Sequence, residues 1–335
     1  MANKKRILSG MQPSGPLHLG NYFGALKNWI SLQDEYECFF FIADWHALTT
    51  LYEDPRKIKQ FSYDVAVDWL SMGLDPEKCT LFVQSRIPEH AELHLILSMI
   101  VPVPWLERNP TYKEKQTEIT NVDMSSYGFL GYPILQTADI ILYKADFVPV
   151  GIDQAPHLEL SREIVRRFNN LYNKRVFVEP DAKISEVPKL NGLDGRKMSK
   201  SYNNAIYLSD SEEEVRKKVQ IMVTDPQRKR RNDPGEPDVC NLFPFHKIYS
   251  PAEMQAEVAS TCRTAAIGCT DCKAKLVRNM TDGMRPALEK RKEIVSNPKR
   301  VMEILDEGSK KAHKVARETL REAKEAMQMA DGFPS

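Results

Sequence analysis

An α/β fold built on a doubly wound parallel sheet is predicted by two features of the first half of the chain. Short continuous apolar runs alternate with amphipathic stretches, and each run ends in polar residues. A third feature, helical periodicity alone after Ser209, rich in Ala, Glu, Lys and Arg towards the end, predicts a C-terminal all-helical domain. Ile7-Leu8 opens a first strand. It leads through Ser9-Gly10-Met11-Gln12 and Pro13-Ser14-Gly15 into His18-Leu19-Gly20-Asn21, the start of a helix running on through Leu26. Cys38-Phe39-Phe40-Phe41-Ile42-Ala43 reads as a buried parallel strand ending at Asp44-Trp45-His46. Asp54-Pro55 supplies a cap and a first-turn proline for a helix carrying Ile58, Phe61, Val65, Val67, Trp69 and Leu70. Thr80-Leu81-Phe82-Val83 is a third strand, ending at Gln84-Ser85. Ligands of such sheets sit beyond the carboxyl ends of the strands, where His18 and Asp44-Trp45-His46 fall.

From Pro102 to about residue 145 the pattern breaks into prolines, a polar segment (Thr111-Tyr112-Lys113-Glu114-Lys115) and a helix from Ser125 to Leu142, which together read as an insertion. Phe147-Val148-Pro149-Val150 resumes a strand and Gly151-Ile152-Asp153-Gln154 ends it. His157 opens a helix through Phe168, and a polar connection from Glu179 to Gly195 delivers Lys197-Met198-Ser199-Lys200-Ser201. The expected division is 1–205 and 206–335.

With 335 residues and 42% hydrophobic side chains, the chain can bury a full core and is expected to hold two domains. Its 47 basic and 46 acidic residues argue against a DNA coat protein, so nucleic acid would be bound by local patches. The basic N-terminus has no apolar segment of signal length after it, and no apolar run reaches the ~20 residues of a membrane span. A cytoplasmic protein without membrane or DNA partners is expected. Its six cysteines are then thiols or metal ligands.

Two stretches carry the chemistry. In the first, Gly15 and Gly20 let backbone approach a ligand, the helix start offers N–H groups, and His18 and Asn21 can donate to phosphoryl oxygens. A strand, turn and helix with no ligand is the plain alternative. In the second, Lys197 and Lys200 flank Ser199 in a polar, glycine-containing setting. Together these resemble the two nucleotide signatures of class I aminoacyl-tRNA synthetases, and Gln12-Pro13-Ser14-Gly15 with His18-Leu19-Gly20-Asn21-Tyr22 resembles the tryptophanyl-tRNA synthetases among them.

That resemblance covers essentially the whole chain. It implies a Rossmann-like catalytic domain, a helical anticodon-binding domain, a homodimer, and activation of L-tryptophan by ATP with Mg²⁺ before transfer to tRNA(Trp). Lys197 and Lys200 would stabilise the charge growing on pyrophosphate. His18, Asn21 and Lys115 would join them; Lys113 and Lys115 read equally as a solvated face. The ATP site would comprise Gln12, Pro13, Ser14, Gly20, Asn21, Gly151, Ile152, Asp153 and Lys197 to Ser201, Ile152 standing where Glu is common in the family. Asp139, a carboxylate in an apolar helix, needs a partner: either a nearby Lys or Arg, or the indole N–H of tryptophan. In the second case Tyr132, Gln136, Leu8 and His46 line the slot and Gln154 holds the amino acid's polar end, although His46 also reads as a satisfied core residue. Gln136, where many bacterial tryptophan enzymes carry Met, keeps a tyrosyl-tRNA synthetase as the alternative.

Cys38 and Cys79 read as core residues. Cys240, Cys262, Cys269 and Cys272, separated by 21, 6 and 2 residues, read as a metal site. Their spacing resembles the iron–sulfur subclass of the family, which implies a [4Fe–4S] cluster, with Zn²⁺ as the other occupant. The basic block Gln227-Arg228-Lys229-Arg230-Arg231-Asn232 is either solvated surface or a phosphate-contacting patch.

Overall fold

A computed structural model describes residues 4–109, 125–151, 155–184 and 190–329. Lys113, Lys115, Ile152, Asp153 and Gln154 lie outside the described residues, and the His157 side chain is likewise not described. Five parallel strands, β1 (Arg6–Met11), β2 (Glu37–Ile42), β3 (Cys79–Val83), β4 (Phe147–Val150) and β5 (Asp181–Ile184), form one sheet in the order β3-β2-β1-β4-β5. The chain winds outward in both directions from β1 and β4, so the crevice at their carboxyl ends is the switch point of the sheet. Met11 and Val150 end there, leading into the Gln12–Gly15 turn and Gly151.

Strand periodicity sorts the side chains into two cores. Ile7, Cys38, Phe40, Ile42, Leu81 and Val83 face one core; Leu8, Phe39, Phe41 and Phe82 face the other. Cys38 and Cys79 are register partners with free, buried thiols, both pushed up to about 12 chiefly by burial.

Two expectations need correction. The polar connection after Glu179 contains a strand, β5, which sits at the sheet edge with an exposed, polar face and so lacks an apolar run. Asp54 does not cap the following helix through its side chain. It binds Arg56 instead, and a 3₁₀ turn (Pro55–Lys57) precedes the α-helix Ile58–Met72.

After Ser209 the regular elements among the described residues are helices: Glu212–Ile221, Phe243–Tyr249, Ala252–Arg263, Cys269–Ser296 and Pro298–Ala326. The last of them joins both cores. Val301, Ile304 and Leu305 pack on one face of the sheet, and Ala312, Ala316, Leu320 and Ala323 on the other. Gly308, between the two groups, rests against edge strand β3 so closely that a Cβ would stand 1.8 Å from the Leu81 carbonyl oxygen. Ion pairs of Glu322 with Lys144, Lys324 with Glu92 and Asp306 with Arg86 bind the same helix to the N-terminal half. No helix among the described residues is long and apolar enough to cross a membrane.

Candidate active site

The turn after β1 bends at Gly15, whose φ of +130° is strained for any residue with a Cβ. Leu17-His18-Leu19 then pairs with the segment that follows the lysine loop: Leu19 N donates to Ile206 O and Leu208 N to Leu17 O, both at 2.9 Å. Backbone hydrogen bonds therefore join two signatures nearly two hundred residues apart. His18 and Asn21 form a reciprocal cap, with Asn21 N donating to His18 Nδ1 (3.2 Å) and His18 N donating to Asn21 Oδ1 (3.1 Å). Because Nδ1 accepts, the ring proton sits on Nε2. Burial and the nearby Lys200 cation lower the His18 pKa to about 4, so the ring is neutral at pH 7. The donors left for a ligand are His18 Nε2–H and the Asn21 side-chain amide. Gly20 is required here, since a Cβ would stand 2.9 Å from His18 Nδ1.

The lysine loop is held by Asn204, which is 2% exposed. Its Oδ1 accepts from Ser199 N (2.8 Å), and its Nδ2 donates to Asp194 Oδ1 (2.7 Å) and Lys197 O (3.2 Å). Lys200 Nζ donates to Gly15 O (2.9 Å) and Ser14 Oγ (3.3 Å). Burial lowers the Lys200 pKa to about 8, against an upward pull from Asp68. Ser14, Gly20, Asn21, His18 and Lys200 thus converge on one turn. Gln12 and Lys197 are exposed and Pro13 is buried beside it in the chain; Ser199 and Ser201 share a hydroxyl hydrogen bond of 2.9 Å. The Met198 side chain belongs to the core. Asn204 escaped the sequence reading because an Asn three residues past a loop looks like any polar turn residue.

Asp139, on the helix Tyr127–Leu142, is 1% exposed. Its expected Lys or Arg partner is replaced by a cage of other donors. Gln84 Nε2 (2.8 Å) and His90 Nδ1 (2.6 Å) reach Oδ1, and His46 Nε2 (2.7 Å) reaches Oδ2. Burial pushes the carboxyl up, but the charge and hydrogen bonds of His46 and His90 outweigh it and hold the pKa below the ordinary value. His90 also meets Tyr143 Oη at 2.8 Å, and Gln84 Oε1 accepts from Trp45 N at 3.2 Å. The segments that follow β2 and β3 and the helix Glu89–Ser98 are therefore tied to one carboxylate on the helix Tyr127–Leu142. A carboxylate has about four acceptor positions, so one on Oδ2 is left for a further donor. Gln84 and His90 went unrecognised; only the placement of Gln84 at a strand end hinted at it.

Leu8 is fully packed in the second core, and Gln136 is half-buried. Tyr132 lines a cavity of about 310 Å³ with Trp45, Leu48, Tyr52, His94 and Leu135.

Comparison with known proteins agrees with this geometry. The model of the class I tRNA synthetases for W and Y matches residues 2–282. A tryptophan–tRNA ligase of Thermotoga maritima is 52% identical over 97% of this chain and 99% of its own. The chain belongs to the tryptophanyl-tRNA synthetases. One from Aquifex aeolicus is 42% identical, covering 97% of this chain and all of its own. The crystal structure of the Campylobacter jejuni enzyme with ADP and tryptophan is 37% identical and superposes with a TM-score of 0.87, covering 96% of this chain and 99% of that one. These family members favour the tryptophan reading over the tyrosine one.

Away from the two signatures, the fold gathers Cys240, Cys262 and Cys272 around Phe243, Val258 and Ile267, and Cys269 begins the helix Cys269–Ser296. Burial, and then the charges of Cys240, Cys262 and Cys269, push the Cys272 thiol up to about 12. Four sulfur donors match a four-thiolate site in type and number. Their side chains are nonetheless not converged: among the described residues no three His, Cys, Asp or Glu groups are arranged to hold a metal ion, and Cys272 Sγ meets His246 Nε2 at 3.4 Å. Within the basic block, Arg228 is taken up here, donating to Ile267 O (2.7 Å) and Arg231 O (2.8 Å), whereas Lys229, Arg230 and Arg231 are exposed.

Proposed function

We propose that the chain activates L-tryptophan with MgATP and passes it to tRNA(Trp). The observation that carries this is the junction of the two signatures, with Lys200 on the Gly15 turn and a neutral, donor-ready His18 beside it. In the first step the tryptophan carboxylate attacks the α-phosphorus, the bond to the bridging oxygen breaks, and pyrophosphate leaves. Lys197 and Lys200 stabilise the charge on the leaving group, to which the Mg²⁺ carried by the MgATP substrate would add, while His18 and Asn21 hold phosphoryl oxygens. In the second step a hydroxyl of the terminal tRNA ribose attacks the activated carbonyl and AMP leaves. The substrate is its own nucleophile, so no catalytic Ser or Cys is needed.

On this reading Asp139 accepts the indole N–H through the remaining position of Oδ2, and Tyr132, Gln136 and His46 bound the slot. Lys115 reaches the triphosphate, Gly151 to Asp153 the ribose, and Gln154 the amino acid. Residues 206–335 bind the anticodon, and the enzyme works as a cytoplasmic homodimer. Pyrophosphate exchange dependent on tryptophan, and not on tyrosine, is the expected result; exchange driven by tyrosine instead would reverse the assignment.

The finer subclass is also part of the proposal: Cys240, Cys262, Cys269 and Cys272 hold a [4Fe–4S] cluster that braces the RNA-binding part. Anaerobic purification should give a brown protein with about four iron and four sulfide per chain, lost in Cys269→Ala. Stoichiometric zinc without colour would make it a structural zinc site instead.

A further inference from the structure

We propose that Arg291, on the C-terminal helix Cys269–Ser296, is a positioning residue for adenylate formation that acts through Asp68 on the first nucleotide signature. This rests on the reading above. Asp68 lies on the helix Ile58–Met72 and is 1% exposed, and each of its oxygens has a different task. Oδ1 accepts from Arg291 Nε at 3.0 Å, and Oδ2 accepts from Leu17 N at 3.3 Å. Leu17 precedes the capping His18, and its carbonyl oxygen accepts from Leu208 N. Both backbone groups of Leu17 are therefore fixed, one by Asp68 and the other by the segment after the lysine loop.

A carboxylate this buried keeps its charge only with a cation beside it. Arg291 is that cation, and it comes from the part of the chain proposed to bind tRNA. Asp68 is also the anion that supports the Lys200 cation, whereas Lys200 disfavours a charge on His18. Burial raises the Asp68 pKa above the ordinary carboxylate range; of the charged groups acting on it, Arg291 favours its anion and Asp64 opposes it. Removing the guanidinium leaves a buried carboxyl that takes up a proton. The protonated group holds the Leu17 N–H less firmly and no longer supports Lys200. A purely structural staple between helices would have neither effect.

The test compares Arg291→Gln, Arg291→Lys and Asp68→Asn with the unaltered enzyme in tryptophan-dependent pyrophosphate exchange. Asp68→Asn keeps the shape of the side chain and serves if Arg291→Gln fails to fold. In Arg291→Gln and Asp68→Asn, kcat/KM for ATP should fall between about tenfold and a hundredfold while KM for tryptophan stays within about twofold. Arg291→Lys should recover part of the loss. The alkaline limb of the kcat/KM profile should move to lower pH in Arg291→Gln and Asp68→Asn, because an uncharged Asp68 no longer raises the Lys200 pKa. A lowered melting temperature with unchanged KM for ATP, an unmoved limb and no advantage of Lys over Gln would overturn the inference. Absence of tryptophan-dependent exchange in the unaltered enzyme would instead sink the functional reading beneath it.

Discussion

The Asp139 cage and the lysine loop, the two centres of the proposed function, are built in opposite ways. Asp139 is sealed, with three side-chain donors from separate parts of the chain converging on one carboxylate. Lys200 lies on a loop held by Asn204 and by the buried Met198 side chain, and its ammonium rests on a carbonyl and a hydroxyl that a phosphate can replace. The difference follows from the tasks. Recognition of one N–H needs an acceptor already oriented and dry. Stabilisation of a leaving group needs a charge that can arrive when the negative charge develops.

Substitutions at the two centres should therefore separate. Lys200→Ala should lower kcat for pyrophosphate exchange by about 10²–10³-fold with tryptophan binding nearly unchanged; equal loss of both, seen by exchange kinetics and calorimetry, would merge the two centres. Asp139→Ala strands His46, His90 and Gln84, and should cost about 3–5 kcal/mol of stability. It should also weaken discrimination against tyrosine and phenylalanine, and intact discrimination would remove Asp139 from the pocket. Asn204→Ala leaves Ser199 N without its acceptor, while Asp194 keeps Arg196, and should cost about 1–3 kcal/mol, read by denaturant unfolding, with the larger relative effect on kcat.

The gentlest probe is pH. With Lys200 lowered to about 8 and active as the cation, kcat/KM for ATP should fall as pH rises through about 8. His18 is active as the neutral ring and should bring no loss on the acid side until pH nears about 4. In the ATP complex the phosphates favour the Lys200 cation, so the alkaline limb of kcat should lie higher than that of kcat/KM.

Local patterns made four of the five strands legible, because each carries an apolar run between polar ends. Edge strand β5, with its exposed face, carries no such run. The two signatures were readable for a similar reason: their glycines and lysines have chemistry that acts within a few residues. Gln84, His90, Asn204 and the Asp68–Arg291 pair were not. Gln84, His90 and the Asp68–Arg291 pair are ordinary polar residues whose importance comes from hydrogen-bond partners far away in the chain, up to 223 positions for Arg291 and Asp68, whereas the partners of the Asn204 side chain lie within ten positions and nothing in its residue type marks it.

Periodicity, turn residues and side-chain chemistry are properties of neighbours along the chain, so the α/β class, four of the five strands and the two signature stretches follow from order alone. Which polar groups meet in the buried interior depends on how the sheet folds back on itself. That decides the cage around Asp139, the pinning of the lysine loop, and the seating of Gly308 against β3. Burial supplies the reason: once water is removed, every polar group must find a partner wherever the fold brings one near.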